Sequence, residues 1–108
     1  MSETLRRVQM LVALGKVRVS DHGYDELAND GILAQEALAG VGAAVVVEDY
    51  VGRARGASVL TLQQDAEGLP IHVVWGIPKN GDAFAVLVTA YRPDPTRWET
   101  GFKLRKKI

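Results

Sequence analysis

The sequence predicts an α+β fold in which N-terminal helices pack on a four- to five-stranded antiparallel sheet. Two observations carry this prediction. Apolar residues recur at helical spacing in the first third of the chain, whereas beyond Gly42 runs of β-branched and apolar residues alternate with turn sequences. Helices followed by strands are the element order of α+β proteins. Because 108 residues suffice for one hydrophobic core, we expect a single domain over residues 1–108.

Three short helices are predicted at the start of the chain, within about residues 2–40. The first has apolar residues at helical spacing from Leu5 to Leu14 and ends at Gly15. The second covers about residues 22–29, and the third covers about residues 33–39. We therefore expect a helical layer built from short pieces.

Four strands are predicted over about residues 44–91, with the sequences AVVVEDYV, ASVLTLQQ, IHVVWGI and DAFAVLVTAYR. The first connection is GRARG from Gly52, the second is DAEG from Asp65, and the third contains Asn80-Gly81, a type I′ hairpin signal. Connections this short predict an antiparallel meander.

The basic segment 92–108 is ambiguous in its local pattern. Trp98, Phe102 and Leu104 alternate with polar residues, as in a strand, although Trp98 and Phe102 also have helical spacing. Because Gly101 disfavours a helix, we predict an extended segment that adds a fifth strand.

Composition and motifs exclude several classes of function. The chain has no cysteine, two histidines and no HExxH spacing, so no metal site is expected. The glycine-rich GVGAAV precedes a strand rather than a helix, which argues against a phosphate loop, and no cofactor is expected. The longest apolar runs are about half as long as a membrane helix, so we expect a soluble cytoplasmic protein.

The net charge of zero hides a strong partition along the chain. Residues 20–50 contain seven carboxylates and no lysine or arginine, whereas residues 92–108 contain six basic and two acidic side chains. If these segments lie on different faces, the molecule has an acidic side and a basic side. The basic side is then either a solvated surface or a binding surface for a polyanion.

Three residues are candidates for acid-base and electrostatic chemistry. His22 falls in the first turn of the second helix, and Tyr91 and Arg92 end the last strand. A phenol, an imidazole and a guanidinium are the groups that protonate and clamp a phosphodiester. His72, within an apolar strand, is expected to be a buried structural histidine, and Trp98 is expected either to cap the core or to stack on a base.

Three blocks, VSDHGYDELANDGI, EDYVGRARGASVLTLQQDAEGLPIHVVWGI and LVTAYRPDPTRWETGFKLRK, resemble the bacterial family catalogued as domain of unknown function 4258. Its pattern is a Ser-x-His helix start, a Gly-Ile between helices, an acidic strand ending near Tyr50, a Pro-Ile-His-Val strand, and Thr-x-Tyr-x-Pro-Asp before Trp98. The resemblance covers nearly all of residues 14–106.

Members resemble compact RelE-like and BrnT-like toxins, several of which are encoded beside zinc-finger antitoxins. The resemblance therefore implies a RelE-like fold and a toxin of a type II toxin and antitoxin pair that cleaves messenger RNA without a metal. It implies a cognate antitoxin, of the zinc-finger type in several relatives, and RNA as partners, with a homodimer left open. The residues that it points to, with the basic tail, are catalytic His22, Tyr91 and Arg92 and RNA-binding Arg97, Trp98, Lys103, Arg105 and Lys106.

Glu26 and Asp30 occupy positions at which the family usually carries arginine. Each replaces a charge that attracts phosphate by one that repels it. That the chain is a diverged member of the family is therefore an open alternative. The alternative to a ribonuclease is a non-catalytic interaction module that acts through a sheet edge or the basic C-terminal tail.

Overall fold

The structure is a computed structural model that describes residues 2–79 and 84–107. In these residues the helices are α1 (Glu3–Ala13), α2 (Asp21–Asn29) and α3 (Ala34–Gly40), followed by a single 3-10 turn (Val41–Ala43). The strands are β1 (Val17–Val19), β2 (Val45–Tyr50), β3 (Ser58–Gln64), β4 (Pro70–Gly76) and β5 (Ala85–Tyr91). The predicted α+β class is confirmed. The Asn80-Gly81 hairpin prediction lies outside the described residues.

The five strands form one sheet in the order β1-β5-β4-β3-β2. Strands β2 to β5 pair as the predicted antiparallel meander, but β1 pairs in parallel with β5. The fully antiparallel prediction is therefore wrong at this edge, because β1 has only three residues and carries too short a pattern to recognise. The sheet is mixed and mostly antiparallel.

The predicted fifth strand in the C-terminal segment is also wrong. Residues 93–107, here called the C-terminal strap, turn back on themselves, and their ladder contact is a single antiparallel bridge between Trp98 and Arg105. Gly101 and Phe102 both have positive φ, at 93° and 60°. Their left-handed backbone reverses the chain, so the alternating pattern does not continue as a strand.

One face of the sheet packs against the helices and forms the core. Every second residue of β4, namely Ile71, Val73 and Trp75, is fully buried there against apolar residues of the helices. Burial of an aromatic or branched side chain of this kind contributes roughly 1.5–3 kcal/mol. The opposite face, here called the open face, carries the intervening residues of the same strands and is the face that the strap crosses.

A series of buried hydrogen bonds connects α3 to the face of the sheet that the helices cover. The Trp75 indole N–H donates to Gln63 Oε1 at 2.8 Å, and the Gln63 amide donates to the Ala37 carbonyl at 2.8 Å. Thr61 Oγ1 donates to the Val73 carbonyl at 2.9 Å. Within the described residues, every buried side-chain nitrogen and oxygen has a partner, which is the condition for a stable polar network in a core.

The Gly56 position provides a test of this architecture. Gly56 has φ +118°, and a Cβ there would lie 2.1 Å from the Ile77 carbonyl oxygen, whereas Gly52 has φ +74° and open space around it. We expect Gly56→Ala to lower the free energy of unfolding by about 2–4 kcal/mol, because strain and overpacking add. Gly52→Ala should cost about 1 kcal/mol, for backbone strain alone. Urea unfolding measures both, and equal losses would contradict the packing described.

Candidate functional site

A group of polar side chains lies on the open face beneath the strap. Its members come from β2, β4, β5 and the strap, and they are Glu48, Tyr50, His72, Tyr91 and Arg105, here called the polar cluster. Glu48 and Tyr50 share a face because they are two residues apart in β2, and register places His72 opposite Tyr91. Strand alternation therefore brings the four sheet residues to one side.

Arg105 and Glu48 form the charged part of the polar cluster. Arg105 Nε–H donates to Glu48 Oε2 at 2.8 Å, and Nη2–H donates to Oε1 at 3.0 Å. The Tyr50 hydroxyl also donates to Oε1. The hydrogen bond from Arg105, followed by that from Tyr50, lowers the pKa of Glu48 from its ordinary 4.5 to about 2. Glu48 is therefore ionised at neutral pH, and its side chain retains 31% exposure.

His72 forms the buried part of the polar cluster. The imidazole is fully buried, and this burial lowers its pKa, so the ring is neutral at pH 7. Nε2 lies 2.7 Å from the Phe102 carbonyl oxygen, which can only accept, so Nε2 carries the proton. Nδ1 then accepts from the Tyr91 hydroxyl at 3.2 Å. Burial raises the pKa of Tyr91, which keeps its phenol protonated.

The strap completes the site through aromatic packing. Trp98 is 4% exposed, and its ring meets the His72 ring edge-on with centroids 4.4 Å apart. The Arg105 guanidinium lies 4.6 Å from the centroid of the same indole. Trp98 is thus buried against His72 and Arg105 on the open face, and its predicted role in stacking on a base stays a prediction. Arg97, Lys103 and Lys106 are exposed on the strap.

The structure does not bring His22, Tyr91 and Arg92 together at one point. His22 is exposed on α2, where Nε2 lies 3.4 Å from Glu26 Oε1. Tyr91 belongs to the polar cluster on the open face. The catalytic roles of His22 and Arg92 stay predictions.

Arg92 is fastened to two carboxylates away from the polar cluster. Its backbone N–H donates to Asp30 Oδ2 at 2.7 Å, and its guanidinium donates to the Asp30 carbonyl and to Asp65 Oδ2, the latter at 3.0 Å. Asp65 is buried, and the Leu69 backbone N–H together with Arg92 holds the pKa of this carboxyl below its ordinary value. Arg92 therefore ties the end of α2 to the β3–β4 turn.

Sequence reasoning gave no chemical role to Glu48, Tyr50 or His72. A usable signal was present, because Glu48 and Tyr50 stand two apart among the valines of β2 and so share a face. The partner Arg105 is far away in sequence, on a segment that was expected to be extended. Only the folded strap reveals the pairing.

Residues 2–79 and 84–107 contain neither a metal-site arrangement nor a membrane-spanning helix. No group of three or more histidine, aspartate or glutamate side chains in these ranges is arranged to hold a metal ion. No helix there is long and apolar enough to cross a membrane.

Acid unfolding tests the environment of Glu48. Because the pKa of Glu48 is lower in the folded state, the folded chain binds this proton less readily than the unfolded chain, and stability falls as the pH drops from 4.5 towards about 2. We expect Glu48→Gln to lose less stability than the wild type over that interval, measured by urea midpoints. Exposed Glu67→Gln is the matched control and should keep the wild-type slope. Equal acid slopes in all three proteins would contradict the assignment.

Comparison with known proteins identifies the family. No curated protein and no solved structure matches the chain. A family model described as domain of unknown function (DUF4258) matches residues 19–92, about two thirds of the chain. This range includes every member of the polar cluster except Arg105, which the strap supplies. The chain therefore belongs to the DUF4258 family.

Proposed function

We propose that this protein is a toxin of a type II toxin and antitoxin pair, a metal-independent endoribonuclease whose chemistry takes place at the polar cluster. The observation that carries the proposal is the contact of an ionised carboxylate, Glu48, with both a guanidinium and a phenol on a partly exposed surface. These are a base, an electrostatic stabiliser and an acid, the groups that metal-free phosphodiester cleavage requires.

In the proposed reaction, Glu48 takes the proton from a ribose 2′-hydroxyl as that oxygen bonds to the adjacent phosphorus. The bond between phosphorus and the 5′-oxygen of the next nucleotide breaks, and Tyr50 donates its phenolic proton to the leaving oxygen. The products are a 2′,3′-cyclic phosphate and a 5′-hydroxyl. Glu48 then returns its proton to Tyr50 through their hydrogen bond, which restores both groups.

Arg105 supplies the electrostatic part of this proposal. A guanidinium has five N–H donors, and the contacts with Glu48 use Nε and one hydrogen of Nη2. In the proposed complex, the remaining donors bind the negative charge that develops on the phosphoryl oxygens. When the Arg105 guanidinium binds phosphate, it stabilises the Glu48 carboxylate less. The pKa of Glu48 therefore rises, and the carboxylate becomes a stronger base.

His72 and Tyr91 position the strap in this scheme. The hydrogen bond from His72 to the Phe102 carbonyl and the packing against Trp98 hold the strap on the sheet, and the strap carries Arg105. The exposed strap residues Arg97, Lys103 and Lys106 add positive charge beside the site. This supports the RNA-binding roles proposed for them.

The second candidate is a non-catalytic interaction module. The observation that favours it is the position of β2 at the edge of the sheet, where its outer backbone groups have no strand partner among the described residues. Such an edge accepts an extended segment of another chain. This is also a surface on which a cognate antitoxin would bind.

Cleavage of single-stranded RNA in the presence of a chelator tests the leading proposal. We expect fragments that end in 2′,3′-cyclic phosphate, detected by mass spectrometry. Glu48→Gln, Tyr50→Phe and Arg105→Gln should each lower the rate by about 10²-fold or more, the usual cost of losing an acid, a base or a charge stabiliser. Tyr50→Phe removes only a hydroxyl and keeps the ring. Glu67→Gln, an exposed position in the β3–β4 turn and outside the polar cluster, should cleave at the wild-type rate.

His22→Ala decides where the chemistry lies. A rate close to the wild type supports the polar cluster, whereas a loss as large as that of Glu48→Gln moves the chemistry to α2, as first predicted. Intact RNA with the folded wild-type protein, even at low salt, would overturn the ribonuclease proposal and leave the interaction module.

A further inference from the structure

A second basic surface lies at the end of the sheet where the β2–β3 connection meets residues 77–79, which follow β4. Arg7, Arg53 and Lys79 line one pocket of about 270 Å³, and Arg53 and Arg55 line an adjoining groove of about 500 Å³. These four cations are here called the basic cleft. Among the described residues, no carboxylate lines either space.

The four side chains of the basic cleft are available to an external anion. All four are exposed, and none forms an ion pair with a carboxylate in residues 2–79 and 84–107. Arg53 lies 4.8 Å from the centroid of the Tyr50 ring. That contact places one cation of the cleft directly beside the polar cluster.

The backbone holds these two segments together. The Ile77 N–H donates to the Ala57 carbonyl at 3.0 Å, and the Lys79 N–H donates to the Arg55 carbonyl at 3.2 Å. Gly56 permits this approach because its missing side chain leaves room for the Ile77 carbonyl. The cations of both segments are therefore anchored side by side, which limits the conformational entropy lost when a ligand binds.

The groove has an apolar floor as well as a charged rim. Val74, Val86 and Val88, all half-buried, line it together with Arg53 and Arg55. Val74 and Val86 lie on the open face, and no residue of the strap lines the groove. An apolar surface flanked by guanidinium groups matches the two parts of a nucleotide, an unpaired base and its phosphate.

We propose that the basic cleft binds the single-stranded RNA on which the polar cluster acts, with bases on the valine floor and backbone phosphates at Arg7, Arg53, Arg55 and Lys79. This inference rests on the proposed function and names the surface that holds the substrate. Continuity supports it, because Ser58 lines the groove and pairs with Tyr50 in the sheet. A strand of RNA leaving the cleft along this face arrives at Tyr50 and Glu48.

Binding to a 2′-O-methyl RNA oligonucleotide tests the cleft separately from cleavage, because the blocked 2′-oxygen cannot attack phosphorus. The test variant is Arg53→Gln with Arg55→Gln, and the control is Arg6→Gln with Lys16→Gln, which removes the same charge at two exposed positions that line neither space of the cleft. We expect the cleft variant to bind more weakly, with a salt slope reduced by about 1.4, from roughly 0.7 for each lost phosphate contact. Its deficit relative to the wild type should therefore shrink about sevenfold between 50 and 200 mM salt.

The outcomes separate this inference from the proposed function. If the wild type cleaves RNA while the cleft variant binds as tightly as the wild type, or no worse than the control, the cleft assignment is overturned and the ribonuclease stands. If the wild type does not cleave but the cleft variant specifically loses binding, the cleft stands without the ribonuclease. If the variant instead loses self-association and keeps RNA binding, a second copy of the chain occupies the cleft, and the inference is wrong.

Discussion

The imidazole of His72 lies fully buried in a central strand, and both of its ring nitrogens need partners there. Tyr91 satisfies one nitrogen from the neighbouring strand, but the carbonyl that satisfies the other comes from Phe102 in the strap. An unpaired buried polar group costs about 1–3 kcal/mol, so this contact favours folding of the strap onto the sheet. The position of Arg105, and with it the charged half of the polar cluster, depends on this hydrogen bond together with the packing of Trp98 against His72.

Acidic and basic side chains that are separated along the sequence are paired in the folded protein. The acidic block of residues 20–50 does not form one uniform face, because Asp30 binds Arg92 and Glu48 binds Arg105. These pairs use acidic side chains to hold basic segments in place. The cations of the loops at the other end of the sheet have no such partners among the described residues. The basic surface available to a polyanion is therefore larger there than the net charge of zero suggests.

Periodicity predicted the helices and the four strands of the meander to within a few residues, because each element is amphipathic or apolar over several turns or pleats. It did not predict β1, whose three residues are a strand only because β5 lies beside them. The polar cluster was only partly predictable. The sequence analysis predicts site roles for Tyr91 and Arg105. Site roles for Glu48 and His72 follow only from the tertiary contacts that join them to Arg105 and Tyr91. Arg92 was selected for its charge, but its partners Asp30 and Asp65 are distant in sequence.

The parallel pairing of β1 with β5 has a consequence for the order of folding. Val17–Val19 precede α2, yet their strand partners Ala85–Leu87 belong to β5, the last strand of the meander. During translation, the N-terminal helices emerge long before the ribosome has supplied the strand that completes this edge. The last pairing thus joins the two halves of the chain in a contact of long sequence separation, which closes slowly. In a nascent chain that ends before β5, β1 has no strand with which to pair.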